Sequence, residues 1–355
     1  MSETATPPRP PVHRLVERAA AYSWRLIVIG IVVLACLWIL RQARVVFFPI
    51  VIAVFLARVL SPVSTWLRRH RWRAGFAAVA SMVGFFVVLG ALLALAIGSF
   101  ADEMESIGPT LTRATDDIEE WLVNDSPIKL SREGIDRFRE RAADEFDALT
   151  RSSGGEITDQ ATLVAELITG VVLAVVLTFF MLRDGDRFVG WVCRGAQRNR
   201  VAVRRALDAA WSTLGGYLRG AAILGFVESI VIGATLFITG GSLVAPVMVI
   251  TFLGAFVPIA GAVIAGVVAV LVALVTGGTG TAVAVAAVAL LVQQLDNDLL
   301  APLIYGRALS LHPVIVLLSV VAGGALFGLA GTMLAVPVVA VVVNSAREYT
   351  RTASV

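Results

Sequence analysis

The chain has 355 residues, 58% of them hydrophobic and only 15% charged, with a formal net charge of +3. Soluble domains carry about 25% charged residues, so this composition excludes an ordinary water-facing globule, and a mean hydropathy of +0.85 points to a bilayer. The basic balance does not indicate nucleic acid, because the arginines cluster beside apolar runs, where membrane topology places them.

Residues 1–12, rich in proline, serine and threonine, open a stretch to about residue 20 that reads as a disordered cytoplasmic tail. An apolar run ending at Leu40 follows Arg14, Arg18 and Arg25, and Arg41-Gln42-Ala43-Arg44 comes next instead of a small-residue cleavage pattern. Residues 22–40 are therefore expected to form a retained first membrane helix, since about 20 apolar residues cross the hydrocarbon core. A second span is expected at 45–60, with Pro49 in its first turn, where a missing N–H costs little. The loop 67–73 (LRRHRWR) holds four arginines and a histidine, which places it in the cytoplasm. Residues 74–100 make a long third span that tilts to fit.

The character then reverses. Residues 101–160 hold 16 Asp and Glu against 7 Lys and Arg, with apolar residues at helical spacing, including Ile118, Trp121, Leu122, Ile135, Phe138 and Phe146. This acidic, amphipathic stretch is expected to be an extracytoplasmic helical insert, either a solvated surface domain or a lid or assembly element. A fourth span at 161–183 returns the chain to a basic cytoplasmic segment at 184–213, whose Phe188, Val189, Trp191 and Val192 suggest a helix lying in the interface.

From 214 to about 345 the chain is almost wholly apolar. A fifth span is expected at 218–238, ended by Thr239-Gly240-Gly241. The run 243–275 is too long for one crossing and is interrupted by Pro258 and Gly261. Gly277-Gly278-Thr279-Gly280 separates it from a segment at 281–295, the polar group Gln293, Gln294, Asp296, Asn297 and Asp298 follows, and a short segment at 299–307 comes next. Residues 311–343 form a second overlong run, broken by glycines and Pro337. Arg347 and Arg351, in a tail at 346–355, place the C-terminus in the cytoplasm, and eight spans with both termini inside satisfy every arginine cluster. The expected fold class is all-α: a polytopic protein of about eight membrane helices, some broken or re-entrant, plus the acidic insert.

Two features of this C-terminal region could carry chemistry. Pro258 and Gly261 break a helix in mid-membrane, which frees carbonyls that need protein or a water-filled cavity; discontinuous helices build transport sites, and neighbours also repair simple kinks. Glu228 lies in the middle of the fifth span, where a carboxylate costs roughly 2.5–3.5 kcal/mol on insertion scales and normally faces a cavity or partner. It is either a protonatable functional group or a hydrogen-bonded packing residue, and the 293–298 group either lines a path or marks a helix end. Gly323, Gly324, Gly328 and Gly331 have spacings suited to close helix approach. Cys36 and Cys193 are too few for a disulfide framework, and His13, His70 and His312 share no metal-ligand spacing. No nucleotide motif or hydrolase triad is present, so no enzyme activity, cofactor or metal is expected.

The order of motifs resembles the autoinducer-2 exporter family, the PerM-like group of bacterial membrane permeases. The matching pieces are Phe48-Pro49-Ile50 with Ala53 and the basic loop, Phe179 to Gly185, Tyr217-Leu218-Arg219-Gly220, and Val257 to Gly261. The most specific block runs from Asp296 to Pro337 and includes Ala301-Pro302-Leu303-Ile304-Tyr305-Gly306-Arg307, Leu311-His312-Pro313 and Gly323 to Gly331. The resemblance covers about residues 20–345. It implies about eight membrane helices, a helical segment outside the cytoplasm, homo-oligomers, and export of small solutes, autoinducer-2 for some members and sodium-proton exchange for others. The chain departs from the pattern at Asp296, where many relatives have glutamate, which puts transfer of ion specificity in doubt.

The expected function is transport of a small solute across a bacterial plasma membrane, gradient-driven or facilitated. Its partners are the lipid bilayer and a small-molecule or ion substrate. The candidate path residues are Glu228, Pro258, Gly261, Gln293, Asp296, Asn297, Asp298, Pro302 and Arg307. The alternatives are a sodium-proton antiporter that exchanges through Glu228 and Asp296, and a non-transporting scaffold that binds an envelope partner through its acidic insert.

Overall fold

A computed structural model describes residues 42–98, 157–257, 260–296 and 311–353, with isolated helical positions between 23 and 39. The first expected span falls largely outside the described residues, and the acidic insert up to residue 156 lies wholly outside them. The chain divides into two compact units, Met1–Phe47 and Phe48–Val355. Every described element is helical: α1 (Arg44–Arg69), α2 (Ala74–Gly98), α3 (Ile157–Gly195), α4 (Arg200–Ile238), α5 (Val244–Gly254), α6 (Ala260–Leu295) and α7 (Pro313–Ala353). Among the described residues, six helices are long and apolar enough to cross a membrane, while Val244–Gly254 and Val314–Gly328 are apolar but short. Large apolar side chains such as Val87, Ile97, Phe237 and Leu290 stand exposed around them, as a lipid-facing surface requires and a water-facing one forbids.

Helices α1, α2 and α3 pack through Ala57, Leu60, Ala78, Met82 and Leu182, all buried. Ala53, Ala57, Ala77 and Ala78 are fully buried. Small residues let helix backbones approach closely, the main source of association when the solvent is itself apolar.

Several boundaries differ from expectation. Helix α1 does not stop at Leu60 but continues through Pro62 to Arg69, and Pro49 lies inside it, because its first turn is built around Ala43 and Arg44. Helix α3 leaves helical geometry at Asp184, within the expected boundary, and resumes as the short exposed stretch bearing Phe188 and Trp191. Helix α4 begins at Arg200, so the second half of the basic segment is the start of the fifth span itself. Helix α7 runs to Ala353, making most of the expected tail helical.

Helix α4 is the axis of the C-terminal half, touching α3, α5, α6 and α7. Its neighbours fold back on themselves. Helix α6 departs from helical geometry at Gly278, where φ is 78°, a conformation glycine adopts without penalty. Ala269 and Ala273 before this point, and Ala282 and Val285 after it, join one buried cluster with Ile232, Leu236 and Val247. In a straight helix Ala269 and Val285 would lie about 24 Å apart, so the two arms of α6 lie side by side. The expected separator at 277–280 is thus a one-residue reversal. Helix α7 reverses in the same way at Gly328, where φ is 61°. A Cβ on Gly323 would overlap the Gly331 carbonyl, and one on Gly331 would overlap that of Gly323. The glycine spacing therefore serves close approach, as expected, between two arms of one hairpin.

Candidate functional site

The site is built from two hairpins and the face of α4 between them. Thr239 and Ser242 mark one end of the first hairpin. The Ser242 backbone N–H donates to Thr276 Oγ1 at 3.1 Å, and Thr281 Oγ1 donates to the Thr239 carbonyl at 3.0 Å. From there α5 descends antiparallel to α4. A Cβ on Gly233 would meet Met248, and one on Gly225 would meet Ala255 and the Phe252 carbonyl. Its 11 residues rise only about 16 Å, half of the roughly 30 Å core. The chain turns after Gly254 and climbs back as the first arm of α6, with Gly261 against the Gly254 backbone. The overlong run 243–275 is therefore two helices folded back on one another as a hairpin.

The tip of this hairpin releases carbonyls, and α4 receives one of them: Tyr217 Oη donates to the Phe256 carbonyl at 3.2 Å. Tyr217 is buried with Leu214 and Leu218 among Val54, Phe55, Phe256 and Val341. Tyr217→Phe is expected to cost about 1–2 kcal/mol by leaving that carbonyl unserved. Unchanged thermal unfolding in detergent would assign the carbonyl to water instead.

The second hairpin enters from the opposite end. Asn344 Nδ2 donates to Thr213 Oγ1 at 3.2 Å, and Val341 packs beside Tyr217 and Leu218, so the outgoing arm of α7 runs antiparallel to α4. Val341 is thirteen residues past Gly328, a rise of about 20 Å, and Glu228 is eleven past Tyr217, a rise of about 16 Å. The Gly328 reversal thus lies within about one turn of the level of Glu228. The incoming arm, Pro313 to Phe327, is about 22 Å long and too short to cross. The two hairpins thus approach α4 from opposite ends.

Glu228 projects into this zone with 7% of its surface exposed, and Asp296 reaches it from the end of α6 with 8% exposed. The two carboxyls lie within electrostatic range of one another. No ion pair to either is present among the described residues, and Asp296 Oδ1 is buried without a hydrogen-bond partner. Burial of unpaired charge is strongly unfavourable, so this arrangement suits a site that takes up a proton or another cation. Thr251, 1% exposed with an unpartnered hydroxyl, sits on the face of α5 whose contacts with Gly225 and Gly233 bracket Glu228 and Ser229. Sequence reasoning passed over it; its only signal was one hydroxyl in the run Val-Met-Val-Ile-Thr-Phe-Leu.

Of the expected path residues, the structure buries Glu228 and Asp296 and places them within electrostatic range of one another. Gln293, half-buried, lies one turn before Asp296 on α6, and Gly261 belongs to the hairpin's backbone contact. Pro258, Asn297, Asp298, Pro302 and Arg307 lie outside the described residues. Cys193 is a buried free thiol.

The architecture has counterparts among known proteins. The chain is 33% identical over 331 residues to MT0215 of Mycobacterium tuberculosis, a protein carrying a transport-protein name, covering 93% of this chain and 90% of the relative. It is 27% identical over 331 residues to the AI-2 transport protein TqsA of Escherichia coli K12, covering 92% of each. It is 24% identical over 309 residues to YrrI of Bacillus subtilis 168, covering 84% of this chain and 85% of that one. A family model described as AI-2E family transporter matches residues 27–351. With its helices long enough to cross a bilayer several times and its relatives named for transport, this chain is a multi-pass membrane protein of the AI-2E transporter family.

Proposed function

We propose that this protein is a secondary transporter of a small solute in a bacterial plasma membrane, with its path running between the two hairpins. The observation that carries this reading is the pair Glu228 and Asp296, both over nine-tenths buried and within electrostatic range of one another, near the level where the second hairpin reverses and beside α5 of the first. Broken helices that meet at the midplane are a recurring way to bind a solute and to let either side open in turn. The two acids supply a place for the coupling proton or sodium ion.

The basic ends share one side of the molecule in support of this orientation. Arg58 on α1 reaches Trp211 on α4, with α1 antiparallel to α4, so the loop after Arg69 lies toward the arginine-rich start of α4. Tyr349 near the end of α7 accepts a hydrogen bond from Asn199 at 2.9 Å. That end is the cytoplasmic one by the excess of arginine.

The test is flux in proteoliposomes. The name of the TqsA relative makes AI-2 the first solute to assay, followed by small polar metabolites, with an imposed proton or sodium gradient. Gradient-dependent flux that requires the protein is the expected result. Absence of flux for every solute and ion, with the protein correctly inserted, would overturn the proposal.

A further inference from the structure

A second charged constellation lies away from the acid pair. Arg58 and Arg219 occupy the apolar stretches of α1 and α4, not the basic loops, and lie close enough to repel one another. Gly215 is the pivot between them. The Arg58 guanidinium lies directly over Gly215, where a Cβ would overlap it, and Arg219 Nε donates to the Gly215 carbonyl at 3.1 Å. Arg58 Nε donates to the Trp211 carbonyl at 2.9 Å, and its guanidinium carbon sits 5.1 Å from the centre of the Trp211 ring.

These contacts engage both side chains through Nε, and their Nη groups have no hydrogen-bond partner among the described residues. Neither arginine has an ion pair among the described residues. Two guanidinium groups held together in an apolar setting are unfavourable by themselves. They become favourable when a bidentate oxyanion joins them, because planar forks match phosphate geometry. The positive-inside rule accounts for arginines in loops; it does not account for a glycine cradle that seats one of them on a neighbouring backbone.

We propose that Arg58 and Arg219, positioned by Gly215 and Trp211, form an oxyanion site for a phosphate-type group. Its location on α1 and α4, toward their basic ends, is independent of the acid pair and of what the protein transports. The group comes either from an anionic lipid headgroup or from a soluble phosphate-bearing solute.

The full-length protein in neutral detergent distinguishes the sources. Binding is measured by thermal-shift titration with phosphatidylglycerol, with phosphatidylcholine, and with inorganic phosphate against chloride at equal ionic strength. Stabilisation by phosphatidylglycerol but not phosphatidylcholine or phosphate identifies the lipid, and stabilisation by phosphate over chloride identifies a soluble anion. In either case Arg219→Gln and Arg58→Gln should each weaken binding at least about tenfold, since a charge-assisted bond contributes about 1.5–3 kcal/mol and 1.4 kcal/mol is tenfold. Gly215→Ala should weaken it while keeping both charges. If Arg58→Gln fails to fold, Arg219→Gln, whose side chain is exposed, carries the test. Equal response to every additive, or wild-type binding in Arg219→Gln, overturns the proposal.

Discussion

Glu228→Gln is expected to lower gradient-driven flux at least about tenfold while leaving the protein inserted and folded. The side-chain shape is kept and a carboxyl is removed from a site where charge costs roughly 2.5–3.5 kcal/mol, so stability should hold or rise. Loss of one charge-assisted interaction of about 1.4 kcal/mol is already tenfold. Asp296→Asn should act alike, because the two carboxyls share one zone. Groups that act as a unit are not additive, so the double variant should be no slower than the worse single one. Glu228→Asp should recover part of the flux. Wild-type rates in Glu228→Gln, measured in the same vesicles and at equal protein, would remove the acid pair from the path and leave it as packing.

The second large effect is structural. Gly331→Val is expected to destabilise the protein by about 3 kcal/mol or more, because the new side chain meets the Gly323 backbone, which cannot rotate away. Gly324→Ala is the matched control. Its Cβ would meet only Thr332 Oγ1, and a hydroxyl on a rotatable side chain can yield. Thermal unfolding in detergent should separate the two variants clearly. If both lose the same stability, the arms of α7 do not pack as an antiparallel hairpin through Gly323 and Gly331.

Much of this was legible in the residues. Apolar runs and arginine clusters gave the bilayer and the first described spans, since a run of this length has few other solvents. Asp184 marked the place where α3 leaves helical geometry. Glu228 and Asp296 stood out for their charge. What could not be read was direction. Hydropathy reports what a residue avoids, not which way the chain runs, so Gly278 read as a loop and Gly328 as one small residue among several. One positive φ at each converts a long run into two antiparallel arms. Arg58 was missed for the opposite reason: a single arginine in an apolar run reads as an interruption until Gly215, over 150 residues away, is seen to receive it.

The first hairpin is fastened unequally, and this has a mechanical consequence. At its base Ser242, Thr276, Thr281 and Thr239 tie three strands of chain together, whereas Tyr217 makes the polar contact at its tip. It is a lever about 16 Å long, pivoted at one end and latched at the other. A tilt of about ten degrees at the pivot carries the tip roughly 3 Å, within the range of small hinge motions. Such a stroke would release the latch and open a gap about the width of a water molecule. On the proposed path, a solute passing this tip would therefore be limited in girth by the length of the lever and the angle of its pivot.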